Sequence, residues 1–353
     1  MSAPRASGYF RTRYNEDFRL LDTRTQKAAF GMFALGALAL PFLASPFALD
    51  LANQVLLATV GAVALMLLTG YAGQISLGHA GLLAAGAYTT GILFKEFGAA
   101  WWITLPSAAL VGALLGVIFG LPSLRLRGLY LAVSTLALHF IVIYLGNEYE
   151  TKRGFSTGVV IDSPIADARA WYAVLFGAAA AAVLLALNLL RTKTGRAWHA
   201  IRGKEAVAEA LGVNLPAYKL AAFVISATMT SVAGCLFAYY RSFVSAEAFS
   251  LFLTIQYVAM VIIGGMGSIL GAVLGALFVT LFPYGIESLV AAVPTPAAWA
   301  NSLFAVNYAA FGLIMILFLV FEPAGLVGIW RRLQDYFLLW PFRRKPVAAA
   351  RSG

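Results

Sequence analysis

Long apolar runs alternate with short polar connections along almost the whole chain. A run of about 18 or more apolar residues is long enough to cross the hydrocarbon core of a bilayer as a helix. The pattern therefore predicts an all-α polytopic membrane protein with about ten transmembrane helices. The predicted segments are Ala28–Phe47, Leu51–Thr69, Leu77–Phe94, Trp101–Leu121, Gly128–Gly146, Trp171–Leu190, Leu220–Tyr240, Leu251–Gly264, Gly267–Pro283 and Leu303–Phe321.

The polar ends and one long polar loop divide the chain into three parts. Residues 1–27 form a predicted cytoplasmic N-terminal tail, 28–321 a transmembrane domain, and 322–353 a cytoplasmic C-terminal tail. The transmembrane domain contains a predicted cytoplasmic loop at 191–219. No small-residue cleavage signature follows the first apolar run, which favours a first spanning helix over a signal peptide.

Composition and charge support this topology. The 353 residues are 61% hydrophobic and 11% charged, whereas a soluble domain is about a quarter charged. If the N-terminus is cytoplasmic and every segment crosses, 20 of the 25 Lys and Arg residues lie on the cytoplasmic side. The net charge of +10 therefore indicates basic cytoplasmic loops rather than nucleic-acid binding. The two shortest segments could instead form one broken helix, but that would place the basic C-terminal tail outside.

A polar, glycine-rich stretch interrupts the apolar pattern from Gly70 to Gly81. Irregular polar backbone at membrane depth is tolerated only where it is buried in protein or lines a cavity. The charge count places this stretch around the cytoplasmic end of the second span, which favours an inner gate or hinge over a deep substrate site. Its side chains could either satisfy the broken backbone or face a permeation path. The candidate pathway or gate residues are Tyr71, Gln74, Ser76, His79 and Ser134.

The loop at 191–219 has the composition of a short helix over Ala197–Leu211. Gly212 is placed to cap its C-terminus, and Pro216 prevents continuation. Such a helix could dock into the groove of a soluble partner, or it could only anchor the loop at the membrane surface. The residues alone leave both interpretations open.

Two glycine ladders predict close helix packing. Small residues four positions apart form a flat helix face on which a second backbone can approach. The ladders lie in different halves of the chain. Their members are Gly112, Gly116 and Gly120, and Gly267, Gly271 and Gly275.

An enzyme is disfavoured because no catalytic or metal-binding pattern is found. The three histidines lie in separate segments, the single cysteine lies in an apolar run, and neither HExxH nor a Walker A motif occurs. If ATP drives this protein, a partner binds it. A stand-alone channel or an ion-coupled secondary transporter remains an alternative, although no string of membrane carboxylates typical of a proton relay is present.

Three stretches together resemble the permease subunits of branched-chain amino acid ABC importers. They are GYAGQISLGHAGLLAAGAY at Gly70–Tyr88, LRLRGLYLAVSTLAL at Leu124–Leu138 and IGGMGSILGAVLGA at Ile263–Ala276. The likeness covers about Val55–Phe321 and is closer to the LivM type than to the LivH type. The loop at Gly195–Asn214 is similar to the ATPase-coupling segment of these permeases.

The resemblance implies a fold similar to the ten-helix permeases of cobalamin- and ribose-type importers. It implies a bacterial inner-membrane subunit that imports branched-chain amino acids or related small polar solutes. It also implies four kinds of partner: a second homologous permease subunit, two cytoplasmic ATP-binding subunits, an external solute-binding protein and the lipid membrane. No cofactor of its own is expected, since ATP is bound by the partners.

The resemblance also assigns the coupling residues. The spacing from the Glu–Ala pair to the glycine is one residue shorter than usual, and Val207 replaces a second alanine. These departures leave the individual docking contacts open. The residues assigned to ATPase coupling are Arg196, Arg202, Glu205, Ala206 and Gly212.

Overall fold

The computed structural model describes residues 24–126, 128–155, 158–292, 303–322 and 324–339. Most of the predicted N-terminal tail and the end of the C-terminal tail lie outside these residues. The described chain is helical apart from short connections and two strands of two residues each, which confirms an all-α polytopic membrane protein.

The helices are numbered in chain order. They are α1 Arg24–Leu43, α2 Pro46–Leu65, α3 His79–Phe97, α4 Trp101–Ser123, α5 Leu129–Arg153, α6 Ala168–Arg191, α7 Lys193–Gly203, α8 Glu205–Ala210, α9 Leu215–Arg241, α10 Leu251–Gly264, α11 Ile269–Ala292, α12 Leu303–Phe321 and α13 Gly325–Leu339. A π-helical turn, Met66–Tyr71, continues α2, and a 3₁₀ turn, Ala246–Phe249, precedes α10. The strands are β1 Val159–Val160 and β2 Phe243–Val244.

Each of the ten predicted apolar segments coincides with a helix. Within the described ranges, seven helical spans are long and apolar enough to cross a membrane. The predicted number of ten crossings therefore stays a prediction. The two shortest segments form separate helices, α10 and α11, because Gly265 and Gly267 adopt positive φ angles of 112° and 87° between them.

The second long helix forms the centre of the bundle. Ser45 caps α2 by accepting a hydrogen bond from Ala48 N at 3.3 Å, and Pro46 occupies the first turn, where its missing N–H costs nothing. From Leu57 through Leu68 every residue is buried. Helices α6, α9, α10 and α11 pack around it, so α2 contacts protein on all sides.

Polar contacts identify the two ends of the bundle. At one end, Gln54 near the start of α2 accepts a hydrogen bond from Tyr284 of α11 at 3.1 Å. Asn53 donates to the Ala168 carbonyl at the start of α6 at 3.3 Å. The opposite end of α2 lies beside α7.

The first glycine ladder faces α9. A Cβ on Gly112 would lie 2.5 Å from the hydroxyl oxygen of Ser231, and one on Gly116 would lie 2.8 Å from Val224 Cα. A Cβ on Gly120 would also lie 2.8 Å from an α9 side chain. The three glycines therefore let the α4 and α9 backbones approach more closely than any larger residue would allow.

The second ladder is only partly a helix face. A Cβ on Gly271 would lie 2.7 Å from the Gly265 carbonyl oxygen, and Gly275 meets the Met260 backbone of α10. Gly267 does not lie on this face, because it precedes α11 in the turn from α10. The spacing predicted three equivalent packing glycines. Gly267 differs from the other two, because it adopts a positive φ in the turn and a side chain there would collide with Arg202.

At the end of the bundle opposite α7, a pair of short strands joins the connection after α5 to the connection after α9. Val159 pairs with Val244, and Val160 pairs with Phe243, in antiparallel register. Nearby, Tyr88 of α3 donates a hydrogen bond to Glu150 of α5 at 2.7 Å. These contacts hold α3 and the ends of α5 and α9 together on that side.

Candidate functional site

The segment formed by α7 and α8 (Lys193–Ala210) is folded against the bundle by one large side chain. Trp198 is 0% exposed, and its Nε1 donates a hydrogen bond to the Tyr218 carbonyl of α9 at 2.8 Å. Gly195 allows the tight turn from α6, because a Cβ there would collide with the Leu190 backbone. The burial of the indole and the hydrogen bond that its N–H donates together fix the position of α7 on α9.

This segment contains two helices where the sequence predicted one over Ala197–Leu211. The break falls at Lys204, which has the extended angles φ −154° and ψ 112°. Gly203 precedes it, and glycine is about 1 kcal/mol less favourable than alanine inside a helix. As a result, the side chains of α8 can contact a different part of α9 from the part that α7 contacts.

The end of α8 has the expected capping residues. Gly212 adopts φ +83°, and its N–H bonds the Glu209 carbonyl at 2.9 Å. Asn214 then caps α9 by accepting a hydrogen bond from Ala217 N at 3.2 Å, with Pro216 in the first turn. The two caps define a sharp reversal between α8 and α9.

An ion pair connects α8 to α9. Lys219 Nζ lies 2.6 Å from Glu205 Oε1, with side-chain exposures of 11% for the lysine and 33% for the glutamate. Beside this pair, Ile201, Ala208 and Leu215 form a small buried cluster. Glu205, one of the predicted coupling residues, is therefore bonded to the bundle rather than directed only outward.

The other predicted coupling residues differ in their environments. Arg196 is exposed and donates to the Arg191 carbonyl at 3.2 Å, within its own part of the chain. Ala206 is exposed on α8. A basic surface hollow of about 270 Å³ lies between α7 and the turn after α8. It is lined by Lys193, Arg196, Ala197, Ala200, Gly212, Val213 and Tyr218.

The residues from Ala72 to Gly78, called the break below, separate the π-helical turn from α3. The turn is defined by a hydrogen bond from Ala72 N to the Leu67 carbonyl at 3.1 Å. Thr69 then donates to the Gln74 carbonyl at 3.0 Å, and Gly73 takes φ +71°. The helix therefore ends through internal hydrogen bonds, and most of the break is buried.

The polar side chains of the break satisfy backbone groups. Gln74 is buried, and its Nε2 donates to the Lys219 carbonyl at the start of α9 at 3.3 Å. Ser76 is also buried, and its Oγ accepts from Gly78 N at 3.4 Å. Of the two interpretations open at the sequence level, these contacts favour support of the broken backbone.

Two threonines that sequence reasoning did not select complete the start of α3. Thr135 Oγ1 accepts from Leu77 N at 2.9 Å, and Thr254 Oγ1 accepts from Ala80 N at 3.0 Å. Ser134, which the sequence analysis selected, is half-buried next to Thr135. Thr135 also donates to the Ala132 carbonyl of its own helix at 2.9 Å, and nothing in the sequence distinguished Thr254 from its neighbours.

The histidine at the start of α3 lies in the middle of the bundle. His79 is 1% exposed, and its ring centroid is 4.7 Å from that of Tyr257. Its Nδ1 lies 3.5 Å from Thr230 Oγ1, near the middle of α9, and the imidazole also lies beside the Gly61 backbone of α2. The charge pattern placed the whole stretch near the cytoplasmic end, but the break runs from the α7 side to mid-bundle.

The end of the π-helical turn, where it leads into the break, contacts α7 directly. Arg202 donates a hydrogen bond to the Gly70 carbonyl, and the Tyr71 ring centroid lies 5.2 Å from that of His199. Partial burial, and secondarily the Arg202 charge, lower the pKa of His199 below its usual 6.5. Three of the predicted sites, the coupling loop, the break and Gly267, therefore meet at one place.

Within the described ranges, no group of three or more His, Cys, Asp or Glu side chains is close enough to hold a metal ion. The arrangement instead provides two helices fastened to a bundle and a buried helix break that adjoins them.

Comparison with known proteins decides the class of this arrangement. A family model described as "Branched-chain amino acid transport system / permease component" matches residues 47–320. The chain belongs to this family. As a member, it is a transmembrane permease component of the ABC transporter class and a multi-pass inner-membrane protein; the family is a class of transport proteins rather than of enzymes.

Individual relatives agree with the family. The chain is 33% identical to the high-affinity branched-chain amino acid transport system permease protein LivM of Salmonella typhimurium and 34% identical to that of Escherichia coli. Both alignments cover 74% of this chain and 69% of the relative. It is also 26% identical to the autoinducer 2 import system permease protein LsrC of Salmonella typhi, over 65% of this chain and 66% of the relative. No solved structure gives a significant match to this permease.

Proposed function

We propose that this permease couples ATP hydrolysis in two cytoplasmic partner subunits to alternating access for a small solute. It forms the membrane path together with a second homologous permease subunit, and an external solute-binding protein delivers the solute. Both termini are cytoplasmic, and the fold is that of the ten-helix permeases of cobalamin- and ribose-type importers. The chain itself binds no cofactor.

The observation that carries the proposal is the attachment of the α7–α8 segment to the bundle. Trp198 anchors α7 to α9, the Lys219–Glu205 pair anchors α8 to α9, and Arg202 bonds the π-helical turn. A segment fastened at three points to buried elements transmits a displacement instead of absorbing it as a flexible loop would. This is the mechanical property that a receiver of ATP-driven motion needs.

The charge of this end of the bundle supports a cytoplasmic position for the segment. The loop at 191–219 is strongly basic, and cytoplasmic loops carry the excess of Lys and Arg in membrane proteins. ATP-binding subunits are cytoplasmic, so the hollow beside Arg196 and Lys193 faces the side from which such a partner approaches.

The proposed substrates are branched-chain amino acids or related small polar or organic solutes. The names of the LivM relatives support the first class, and the LsrC name shows that similar permeases serve another solute. Because Gln74 and Ser76 are used by backbone groups, selectivity within this class is expected to reside largely in the solute-binding protein.

The test is reconstitution with partners from the same organism in liposomes. Uptake of radiolabelled leucine is measured with and without ATP and the solute-binding protein. Replacing 193–212 by a Gly–Ser linker of equal length is expected to abolish both the pull-down of the ATP-binding subunits and ATP-dependent uptake. The control for the pull-down is a variant in which residues 162–166, at the other end of the bundle, are replaced by a Gly–Ser linker of the same length as that stretch.

Two results would contradict the proposal. Unchanged pull-down after replacement of 193–212 would remove the coupling role of the segment. Substantial uptake by this chain alone, without ATP or partners, would instead indicate a stand-alone channel or an ion-coupled secondary transporter.

A further inference from the structure

The π-helical turn leaves the Gly70 carbonyl without its helical partner. In a continuing α-helix, the Gly70 carbonyl would accept from residue 74, but Gln74 N bonds the Leu68 carbonyl instead, at 3.1 Å. A buried carbonyl without a donor is costly, so a partner from elsewhere is required. Arg202 of α7 supplies it by donating to the Gly70 oxygen.

Two glycines, Gly267 and Gly73, lie against the Arg202 side chain. A Cβ on Gly267 would collide with its guanidinium, and the position of that Cβ lies 3.4 Å from the Gly70 oxygen. On the other side, a Cβ on Gly73 would lie 3.4 Å from Arg202 Cγ and 3.5 Å from its Cα and Cβ. The arginine therefore lies in a slot between the π-helical turn, the break and the α10–α11 turn.

The turn beside this slot is also tied to the π-helical turn. Gly267 N lies 3.3 Å from Met66 Sδ, at the start of the π-helical turn. A second contact runs from the break to α9, where Gln74 donates to the carbonyl of Lys219, the partner of Glu205. Both helices of the α7–α8 segment are thus linked to the stretch of backbone that leads to His79.

We propose that Arg202 is a positioning residue that ties the α7–α8 segment to the π-helical turn, so that movement of the segment moves the break. This inference deepens the proposed function and rests on it. Removal of the guanidinium weakens the link between the segment and the break, while the surfaces that bind the ATP-binding subunits remain. The result is ATP hydrolysis without matched transport.

The first experiment measures solute transported per ATP hydrolysed in the reconstituted complex, using radiolabelled leucine. Arg202→Gln is expected to keep ATPase activity and to lower this ratio about tenfold, within the range of ordinary coupling energies. Arg202→Lys is expected to restore part of the ratio, because an ammonium also donates to a carbonyl. Lys204→Gln removes an exposed neighbouring charge and is expected to leave the ratio unchanged.

The second experiment replaces the hydrogen bond by a covalent link. A Cβ on Gly73 would lie 3.5 Å from Arg202 Cβ, within the spacing that a disulfide requires. In the variant Gly73→Cys with Arg202→Cys, the ratio is expected to be low after reduction and to recover after oxidation. The one natural cysteine, Cys235, is buried and does not compete. Gly73→Cys alone controls for the strain of a side chain at φ +71°.

The outcomes separate this inference from the proposed function. If the wild-type complex shows no ATP-dependent uptake, the proposed function fails. If wild-type uptake is ATP-dependent, but Arg202→Gln keeps the wild-type ratio, the inference is wrong. It is also wrong if oxidation of the double variant leaves the ratio as low as reduction does. A parallel fall of ATPase activity and transport in Arg202→Gln, without rescue by lysine or by the disulfide, would show a purely structural role.

Discussion

The Lys219–Glu205 pair should control how often α8 detaches from the bundle. A hydrogen bond to a charged group contributes about 1.5–3 kcal/mol. Glu205 is 33% exposed, so water weakens the bond and the lower half of that range applies. A loss of about 1.5–2 kcal/mol raises the opening constant of α8 about 10- to 30-fold, since 1.4 kcal/mol is a factor of ten.

The two partners should not be equivalent. Glu205→Gln leaves the Lys219 ammonium, only 11% exposed, without its carboxylate, which is the more costly state. Lys219→Met leaves a carboxylate that is one-third exposed and can be hydrated. We therefore expect Glu205→Gln to have the larger effect and the double variant to resemble Lys219→Met.

Hydrogen exchange followed by mass spectrometry measures the opening directly. Amides of α8 should exchange about 10- to 30-fold faster in Glu205→Gln, whereas amides in the middle of α9 should not change. The matched control is Glu209→Gln, which removes an exposed carboxylate from the same helix. Equal exchange rates in Glu205→Gln and Glu209→Gln would refute the reasoning, as would a larger effect of Lys219→Met.

Three further predictions concern the packing and charge of the same bundle. Trp198→Phe keeps an aromatic ring but loses the hydrogen bond to α9, and should lower the stability of α7 by about 1 kcal/mol in hydrogen exchange. Gly86→Ala places a methyl against the α9 backbone and should cost about 1–3 kcal/mol in thermal unfolding. Gly177→Ala, where a Cβ would meet no atom of the described residues within 4 Å, should be tolerated. Because the pKa of His199 is lowered, the stability of α7 should fall as the pH drops below 6.5, and NMR titration should find a higher pKa in Arg202→Gln.

The helices were predictable because an apolar run long enough for a bilayer is a local property of the sequence. The capping roles of Gly212 and Pro216 were predictable for the same reason. The split between α7 and α8 was not, because it depends on Lys204 leaving helical geometry so that α8 can reach Lys219. Local composition did not show this long-range requirement.

The site was predicted as separate stretches but not as one assembly. The glycine-rich break, the coupling loop and the Gly267 ladder were each selected, yet nothing in their spacing shows that Arg202 joins them. Charge counting did not show that His79 packs in the middle of the bundle, because it locates the ends of helices and not the path of a broken one. The hydrogen bonds of Thr135 and Thr254 to the start of α3 were missed, because the bonding partner of a hydroxyl in an apolar helix depends on which helix packs beside it.

The pairing of β1 with β2 has a consequence for biogenesis. The strands flank α6, the α7–α8 segment and α9 in the sequence, so Val159 cannot find Val244 until all of these have been synthesised. At 5–20 residues per second, this takes about 4–17 s. During that interval the connection after α5 has no strand partner, which makes its pairing a late step in membrane insertion. A ribosome-arrested chain ending before Phe243 should therefore show this connection open to proteases that the finished permease resists.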